Sequence, residues 1–417
     1  MRADRGAGGN AEIVIVTPGA LGSNPRVVKE ADALARAGWE VRVISTRTLD
    51  AVDFRDEAVL RGSSWSSHRI DLRDRHAWRR RRLVQLAARL GYSSFGIGDL
   101  IEASYSPFVS ELKRAVGNRA PARLYIAHYV AALPAAARAA ARHGAAYAFD
   151  AEDFHLGDLP DAPEHALEKR IIRAIEARYL PGTAYVTAAS PLIADAYAET
   201  YGIASPTVIL NVFPKANAPS APSPGGSKRP GPSLYWFSQT IGPGRGLETA
   251  IEAIARAESR PHLYLRGAPA AGFDAHLRSL AERAGVAGRL HLLDPAPPDD
   301  LERLGSVYDL GYVGERTDTP NRQIALTNKL FSYLIGGVPI LATDIPAHRR
   351  LAPDLGEAIS LSPTGDAAEL SATLDRFLLH PGRLASARAD AWSLGQMRFN
   401  WDVEQRRLVE LIEQLGI

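Results

Sequence analysis

The sequence predicts an α/β protein made of two Rossmann-like domains, each with its own parallel sheet. Three observations carry that expectation. Short apolar runs alternate with helix-period segments from Glu12 almost to the C terminus. The stretch Pro214 to Pro232 holds six prolines among Gly, Ser and Ala, and cannot sustain regular structure. It divides the 417 residues into two segments of similar size, each long enough for its own core. The expected organisation is a domain over 1–213, a linker over 214–232, a domain over 233–397 and a C-terminal helix over 398–417.

Composition narrows the function before any motif is read. Net formal charge is +2, which gives no ground for a nucleic-acid partner. The absence of cysteine removes disulfides, thiolate metal sites and a cysteine nucleophile. Met1 to Asn10 is polar and glycine-rich, without the apolar core of a signal peptide. No run approaches the ~20 apolar residues of a membrane span. The expected location is the cytoplasm.

In chain order, Glu12 to Val16 reads as a short buried strand, followed by a glycine-containing loop from Thr17 to Asn24. Pro25 opens a helix in its favoured first position, with Asn24 as the cap. Val27, Ala31, Leu34 and Ala35 form the apolar stripe, and Gly38 stops it. With the strand Val41 to Ile44 this makes a βαβ unit. Its loop, including Gly19 and Gly22, lies where such sheets bind ligands, and Arg26 one turn into the helix can reach an anion. A surface ion pair is the plainer role for Arg26.

Strands are expected next at Arg69–Leu72, Leu124–Ala127, Ala145–Phe149, Ala184–Thr187 and Val208–Leu210. Helices fall between them at Trp78–Leu90, Leu100–Val116, Ala131–Arg142, Glu164–Tyr179 and Pro191–Tyr201. The first of these carries Arg79 to Arg82 and then Leu83, Leu86, Ala87 and Leu90. Such a basic amphipathic helix suits the surface of an anionic membrane, or is simply a helix with a charged outer face. Asp150, Glu152, Asp153 and His155 gather after the strand that ends at Phe149. Carboxylates and an imidazole at a strand's carboxyl end suit chemistry on hydroxyl-bearing substrates, and a solvated helix cap is the plainer role. Nothing in their spacing is specific for a divalent ion. His128, at the end of the preceding strand, is a weaker candidate of the same kind.

Beyond the linker, strands are expected at Leu234–Phe237, His262–Arg266, Leu290–Leu293, Leu310–Val313, Val338–Ala342 and Ala358–Leu361. Helices between them include Leu247–Glu258 and Phe273–Ala284. The loop Ser238 to Glu248 joins a strand to a helix through Gly242, Gly244 and Gly246, with Arg245 among them. Those glycines let backbone N–H groups approach a phosphate closely, although the spacing matches neither the dinucleotide fingerprint nor a Walker loop. Ile324 to Asp344 reads as a helix, a glycine stop at Gly336 and Gly337, and a buried strand. Thr327 or Asn328 caps the helix, which puts Lys329 in its first turn. A cation there opposes the helix dipole unless an anion also binds. Arg245 and Lys329 both begin helices at the carboxyl edge of one sheet, so both can face one diphosphate. The final amphipathic helix, Asn400 to Leu415, is placed to cross back to the first domain.

These motifs resemble the glycosyltransferases of the GT-B fold, close to the large family 4 of retaining enzymes, over nearly the whole chain. Asn24-Pro-Arg-Val-Val-Lys-Glu is similar to the opening of that family's acceptor domain, and Ser190 and Asn211 fit its usual positions before the linker. Gly242-Pro-Gly-Arg-Gly-Leu resembles the diphosphate loop. Asn328-Lys-Leu-Phe-Ser-Tyr-Leu-Ile-Gly-Gly-Val-Pro-Ile-Leu-Ala-Thr-Asp resembles the donor-site helix and is the most specific motif.

The resemblance implies an active site in a central cleft. There a sugar, hexose-like, moves from a nucleotide-diphosphate donor to an acceptor hydroxyl with retention, in glycan, glycolipid or surface polysaccharide synthesis. Gly244, Arg245, Gly246, Asn328 and Lys329 would hold the diphosphate with no metal and no cofactor. Asp150, Glu152 and His155 would be the catalytic or hydroxyl-orienting groups, and Gly19, Gly22, Arg26, His128 and Ser332 would line the cleft. The implied partners are the nucleotide sugar and a glycan or lipid-linked acceptor, and the basic pattern of the helix near Arg79, apart from the resemblance, allows a peripheral contact at the inner membrane face. The family's pair of glutamates is replaced by Ile324 and Ser332, and a histidine usual after Phe149 by Asp150 and Glu152. Those departures keep two alternatives open, a silent relative that binds nucleotide or glycan, and a nucleotide-sugar epimerase.

Overall fold

The computed structural model describes residues 12–48, 53–96, 98–118, 121–223 and 229–417. Met1 to Asn10 and residues 224–228 of the proline-rich stretch lie outside the described residues. Compact packing divides the chain at Ile209, and residues 405–417 group with the first unit while Leu210–Glu404 form the second.

The first unit is built on seven parallel strands: β1 (Glu12–Val16), β2 (Glu40–Arg47), β3 (Ser66–Asp71), β4 (Leu124–His128), β5 (Ala146–Ala151), β6 (Val186–Ala188) and β7 (Thr207–Val208). Their spatial order is β3-β2-β1-β4-β5-β6-β7. Ile13, Ile15, Val16, Val43, Ile126 and Phe149 are fully buried, as strands covered on both faces require. The order reverses between β1 and β4, so the loops leaving these two strands open a crevice at their carboxyl ends.

The second unit repeats the plan with six strands: β8 (Ser233–Ile241), β9 (His262–Pro269), β10 (Leu290–Leu293), β11 (Leu310–Val313), β12 (Ile340–Thr343) and β13 (Ile359–Ser362). Their order is β10-β9-β8-β11-β12-β13, and the reversal lies between β8 and β11. The Tyr333 hydroxyl donates to the carbonyls of Tyr235 and Tyr312, one on each of those strands, at 2.9 and 3.2 Å.

Three local differences from the sequence expectations have simple causes. A helix at Asp53–Gly62 was not expected, because it has little apolar periodicity and is tied instead through Asp56, which accepts from the Gly22 N–H at 2.7 Å. The expected helix Leu100–Val116 is broken into Ile101–Tyr105 and Val109–Gly117. Pro107 lies in the gap, where it lacks an N–H and crowds the preceding turn. The helix expected at Trp78–Leu90 runs from Arg75 to Phe95, because Asp74 caps it by accepting from His76 and Ala77.

The described residues of the proline-rich stretch pack on the second unit. Asn217 Nδ2 donates to Glu302 at 3.1 Å, and Arg229 donates to the Val307 carbonyl at 2.7 Å. The last helix spans Trp401–Glu413. At its start the Trp401 N–H donates to the Phe213 carbonyl at 2.8 Å, and Glu404 accepts from the Leu210 N–H at 2.9 Å. Among the described residues no helix is long and apolar enough to cross a membrane.

Candidate functional site

In the second unit the chemistry collects at the β8/β11 reversal. The Gly242–Gly246 loop follows β8 and leads into the helix Leu247–Arg256. Gly244 and Gly246 have φ of +75° and +66°, backbone that other residues adopt only with strain. Gly246 is also required by closeness, since a Cβ there would stand 2.7 Å from the Tyr312 hydroxyl oxygen and 3.0 Å from the Gly314 carbonyl. Tyr312 in turn donates to the Gly246 carbonyl at 3.1 Å, seating the loop on the end of β11.

The helix Asn328–Gly336 supplies the second wall. It starts from Thr327 and stops at Gly337, which has φ +66°. Asn328 is its first residue and Lys329 its second. Lys329 is buried, with Nζ 5.4 Å from the centre of the Trp236 ring. Glu315, two residues past β11, joins the two cations that sequence reasoning singled out. Its carboxylate is 3.9 Å from Lys329 Nζ and 3.7 Å from an Arg245 guanidinium nitrogen. Burial lowers the Lys329 pKa, and Arg245 adds to that, while Glu315 opposes both. Arg322 and Arg316 border the same loop, 3.4 and 3.7 Å from where a Cβ on Gly244 would sit. Glu315, Arg316 and Arg322 were missed by sequence reasoning. The signal for Glu315 was positional, a carboxylate just past the strand beside the reversal.

Ser332 points elsewhere. It is buried against the helix Leu301–Gly305, where its hydroxyl donates to Glu302 at 2.9 Å. Burial pushes the Glu302 carboxyl up to about 7, against the hydrogen bonds from Ser332 and Asn217.

The first unit holds a different kind of cluster. Arg26 grips Asp150 with two hydrogen bonds of 2.7 Å and donates a third, 2.9 Å, to the Ile209 carbonyl. Thr187 donates to the same carboxylate, and His128 Nδ1 lies 3.2 Å from it. The other nitrogen of His128 meets Glu30. Burial alone would raise the Asp150 carboxyl, but Arg26 and His128 outweigh it and hold it well below the usual carboxylate range. Burial alone would lower the His128 imidazole, but Asp150 and Glu30 overcome it and raise it to about 10. Asp150 was expected to orient substrate hydroxyls, and Arg26 to reach a ligand anion. The structure corrects both, because each is the other's partner and the whole set is buried. His128 likewise belongs to this cluster. Glu30 and Thr187 were invisible to spacing arguments.

Glu152 and His155 sit apart from it. Glu152 is half-buried with the Tyr129 hydroxyl 3.5 Å away, and Tyr129 has φ +66°, rare for a residue with a side chain. Burial raises the Glu152 carboxyl, with Asp153 and Asp150 adding and Arg26 opposing. His155 Nδ1 meets the Tyr197 hydroxyl at 2.8 Å and Glu176 at 3.3 Å. Its Nε2 is buried without a partner among the described residues. Gly19 donates to Thr17 Oγ1 at 3.2 Å, and a Cβ on Gly22 would collide with Arg55 at 2.4 Å. Gly22 is therefore a packing glycine, placed for the unexpected helix.

Known proteins can be set beside this geometry. Residues 22–211 match the family model of the glycosyl transferase 4-like domain. No curated protein matches the chain by sequence. Sucrose-phosphate synthase from Thermosynechococcus elongatus is similar in structure, with a TM-score of 0.73 and 15% identity over 98% of this chain and 99% of its own. HepE of Anabaena, in complex with UDP and glucose, has a TM-score of 0.70 and 15% identity over 97% of this chain and 100% of its own. TarM of S. aureus, in a complex that includes UDP, has a TM-score of 0.66 and 9% identity over 96% and 99%.

Proposed function

We propose that the chain, whose residues 22–211 match the glycosyl transferase 4-like domain and whose two units have the GT-B fold, is a glycosyltransferase resembling family 4 that moves a sugar from a nucleoside-diphosphate donor to an acceptor hydroxyl. In this reading 233–397 bind the donor and 1–213 the acceptor. The observation that supports it best is the meeting of Arg245 and Lys329 on Glu315 beside a glycine loop at the sheet reversal. Two cations and the N terminus of the Asn328 helix would face the leaving diphosphate and stabilise the charge that develops on it. No metal is needed for that role. The relatives crystallised with UDP make a uridine nucleotide the first donor to test. Retention, and an acceptor that is a glycan or lipid-linked, belong to the same proposal. So does a place in polysaccharide or glycolipid synthesis at the cytoplasmic face of a membrane.

Among the three residues first assigned to catalysis, Glu152 and His155 are better placed than Asp150 to orient hydroxyls. The epimerase alternative would use carboxylates such as Asp150 and Glu152 as acid and base, and the Arg26 pairing argues against Asp150 in that role. Calorimetry with UDP and with uridine tests the donor site. Each charged contact to a partly desolvated phosphate contributes about 1.5–3 kcal/mol. Lys329→Ala or Arg245→Ala should therefore weaken UDP roughly tenfold to a hundredfold and leave uridine nearly unchanged. Unchanged UDP affinity in both variants would remove the assignment.

A further inference from the structure

The helix Arg75–Phe95 is amphipathic in the reverse of the usual sense. Its inward face is polar and anchored. Gln85 donates to the Tyr105 carbonyl at 2.7 Å, Arg81 to Glu111 at 2.9 Å, and Arg89 pairs with Glu168 at 2.7 Å. Arg170 lies over the Tyr92 ring at 5.5 Å, and Ala88 is the small buried residue among them. Its outward face mixes apolar and basic side chains. Leu83, Leu86 and Leu90 follow each other at helical spacing and are 66%, 47% and 64% exposed. Trp78, Val84 and Phe95 add to them, so this one helix carries six of the ten exposed large apolar side chains among the described residues. The charged outer face expected of a basic helix is therefore present, but the leucines share it instead of turning inward.

Charge selects the occupant of that face. The helix contains six arginines and no acidic residue, and Arg75, Arg79, Arg80 and Arg82 are exposed beside the leucines. We propose that this helix docks the protein on an anionic lipid surface, with Leu83, Leu86 and Leu90 entering the headgroup–acyl boundary and the arginines meeting lipid phosphates. An interfacial helix has these parts: an exposed apolar stripe, aromatic residues and flanking cations. A second copy of the chain fits less well, because a two-fold contact through the face would set arginine against arginine. The inference deepens the membrane-face location proposed above, but it does not use the donor site.

The test is co-sedimentation of the full chain with vesicles of phosphatidylcholine alone, or mixed equally with phosphatidylglycerol. The protein should pellet with the mixed vesicles at low salt and stay largely in solution with phosphatidylcholine. L83S/L86S/L90S should reduce binding to near background. R79Q/R80Q should reduce it about tenfold or more, and added salt should act in the same direction. All five side chains face solvent, so both variants should melt with the parent chain and bind UDP as it does. That readout separates failure of the docking face from failure of the donor site. The proposal is overturned by binding that ignores phosphatidylglycerol, by variants that pellet like the parent chain, or by a parent dimer that L83S/L86S/L90S turns into monomer.

Discussion

Each unit places a buried carboxylate and two cations at the carboxyl edge of its sheet, yet the two sets are built differently. Asp150 is held by Arg26 at 2.7 Å through two parallel hydrogen bonds, with Thr187 and His128 completing its shell. Glu315 keeps Lys329 and Arg245 at 3.9 and 3.7 Å, beyond hydrogen-bond length. A pair closed by direct hydrogen bonds has its charge spent inside the protein and serves to hold strands and a helix together. Cations kept near a carboxylate but not bonded to it retain donors to offer a ligand. The distances, more than the residue types, separate a structural ion cluster from a binding site.

The largest test of this contrast is Arg26→Ala, which leaves Asp150 buried without its two parallel hydrogen bonds and with only Thr187 and His128 beside it. Breaking such a pair costs about 3–5 kcal/mol. Denaturant unfolding of the full chain should show that loss, whereas Lys329→Ala should leave stability nearly unchanged or improved. Equal losses in the two variants would erase the distinction. The same cluster sets a pH window. Asp150 is depressed below its ordinary 3.8, so its contribution is present above that value and is lost as pH falls further. His128 rises from 6.5 to about 10, so its contribution is complete below 6.5 and declines as pH climbs through 10. Thermal melts across pH should show the first unit most stable between about pH 4 and 6.5.

Ser332→Glu comes next. Restoring the family's glutamate would put a second carboxyl into the buried space beside Glu302, whose own pKa is already about 7. A loss of about 1–3 kcal/mol is expected from crowding, and a larger one above pH 7 where Glu302 ionises. Tighter UDP binding with an unchanged melt would show instead that this position faces the donor. A smaller effect is expected for Glu315→Gln, read from UDP affinity against pH. Glu315 supports the Lys329 ammonium against burial, so removing its charge should move the alkaline loss of binding to lower pH. An unmoved profile would mean that the two groups are not coupled. Tyr312→Phe is the mildest, a single hydrogen bond of about 1 kcal/mol in a melt.

Much of the architecture was legible because it rests on local pattern. β10 and β11 were placed to the residue, and the Pro25 and Asn328 helices and the glycine loop followed from caps, apolar spacing and glycine stops. Lys329 stood out because a cation in a first helical turn is unfavourable on its own, and it lies in the structure beside Glu315, which also approaches Arg245. The roles of Asp150, Arg26 and His128 were not legible. Arg26 and Asp150 are 124 positions apart, and only the strand order β1-β4-β5 brings them together. Glu302 and Ser332 meet by the packing of two helices, which no short motif records. The reversed helix Arg75–Phe95 shows the complementary limit. Its periodicity was plain in the sequence, but periodicity states that two faces exist and not which of them faces water.

Tyr312 acts as a ruler for the glycine loop. Its hydroxyl stands under Gly246, and the same oxygen would lie 2.5 Å from a Cβ on Gly314, which in turn would crowd the Arg245 carbonyl at 2.6 Å. One phenol thus sets how high the loop rides over the sheet, and two glycines are cut to its length. In a directed-evolution library these three sites should behave as a single inherited unit. A side chain at 246 or 314 would survive selection only alongside a shorter residue at 312, and the lowered loop would then carry Arg245 to a new height, suited to a donor of different reach.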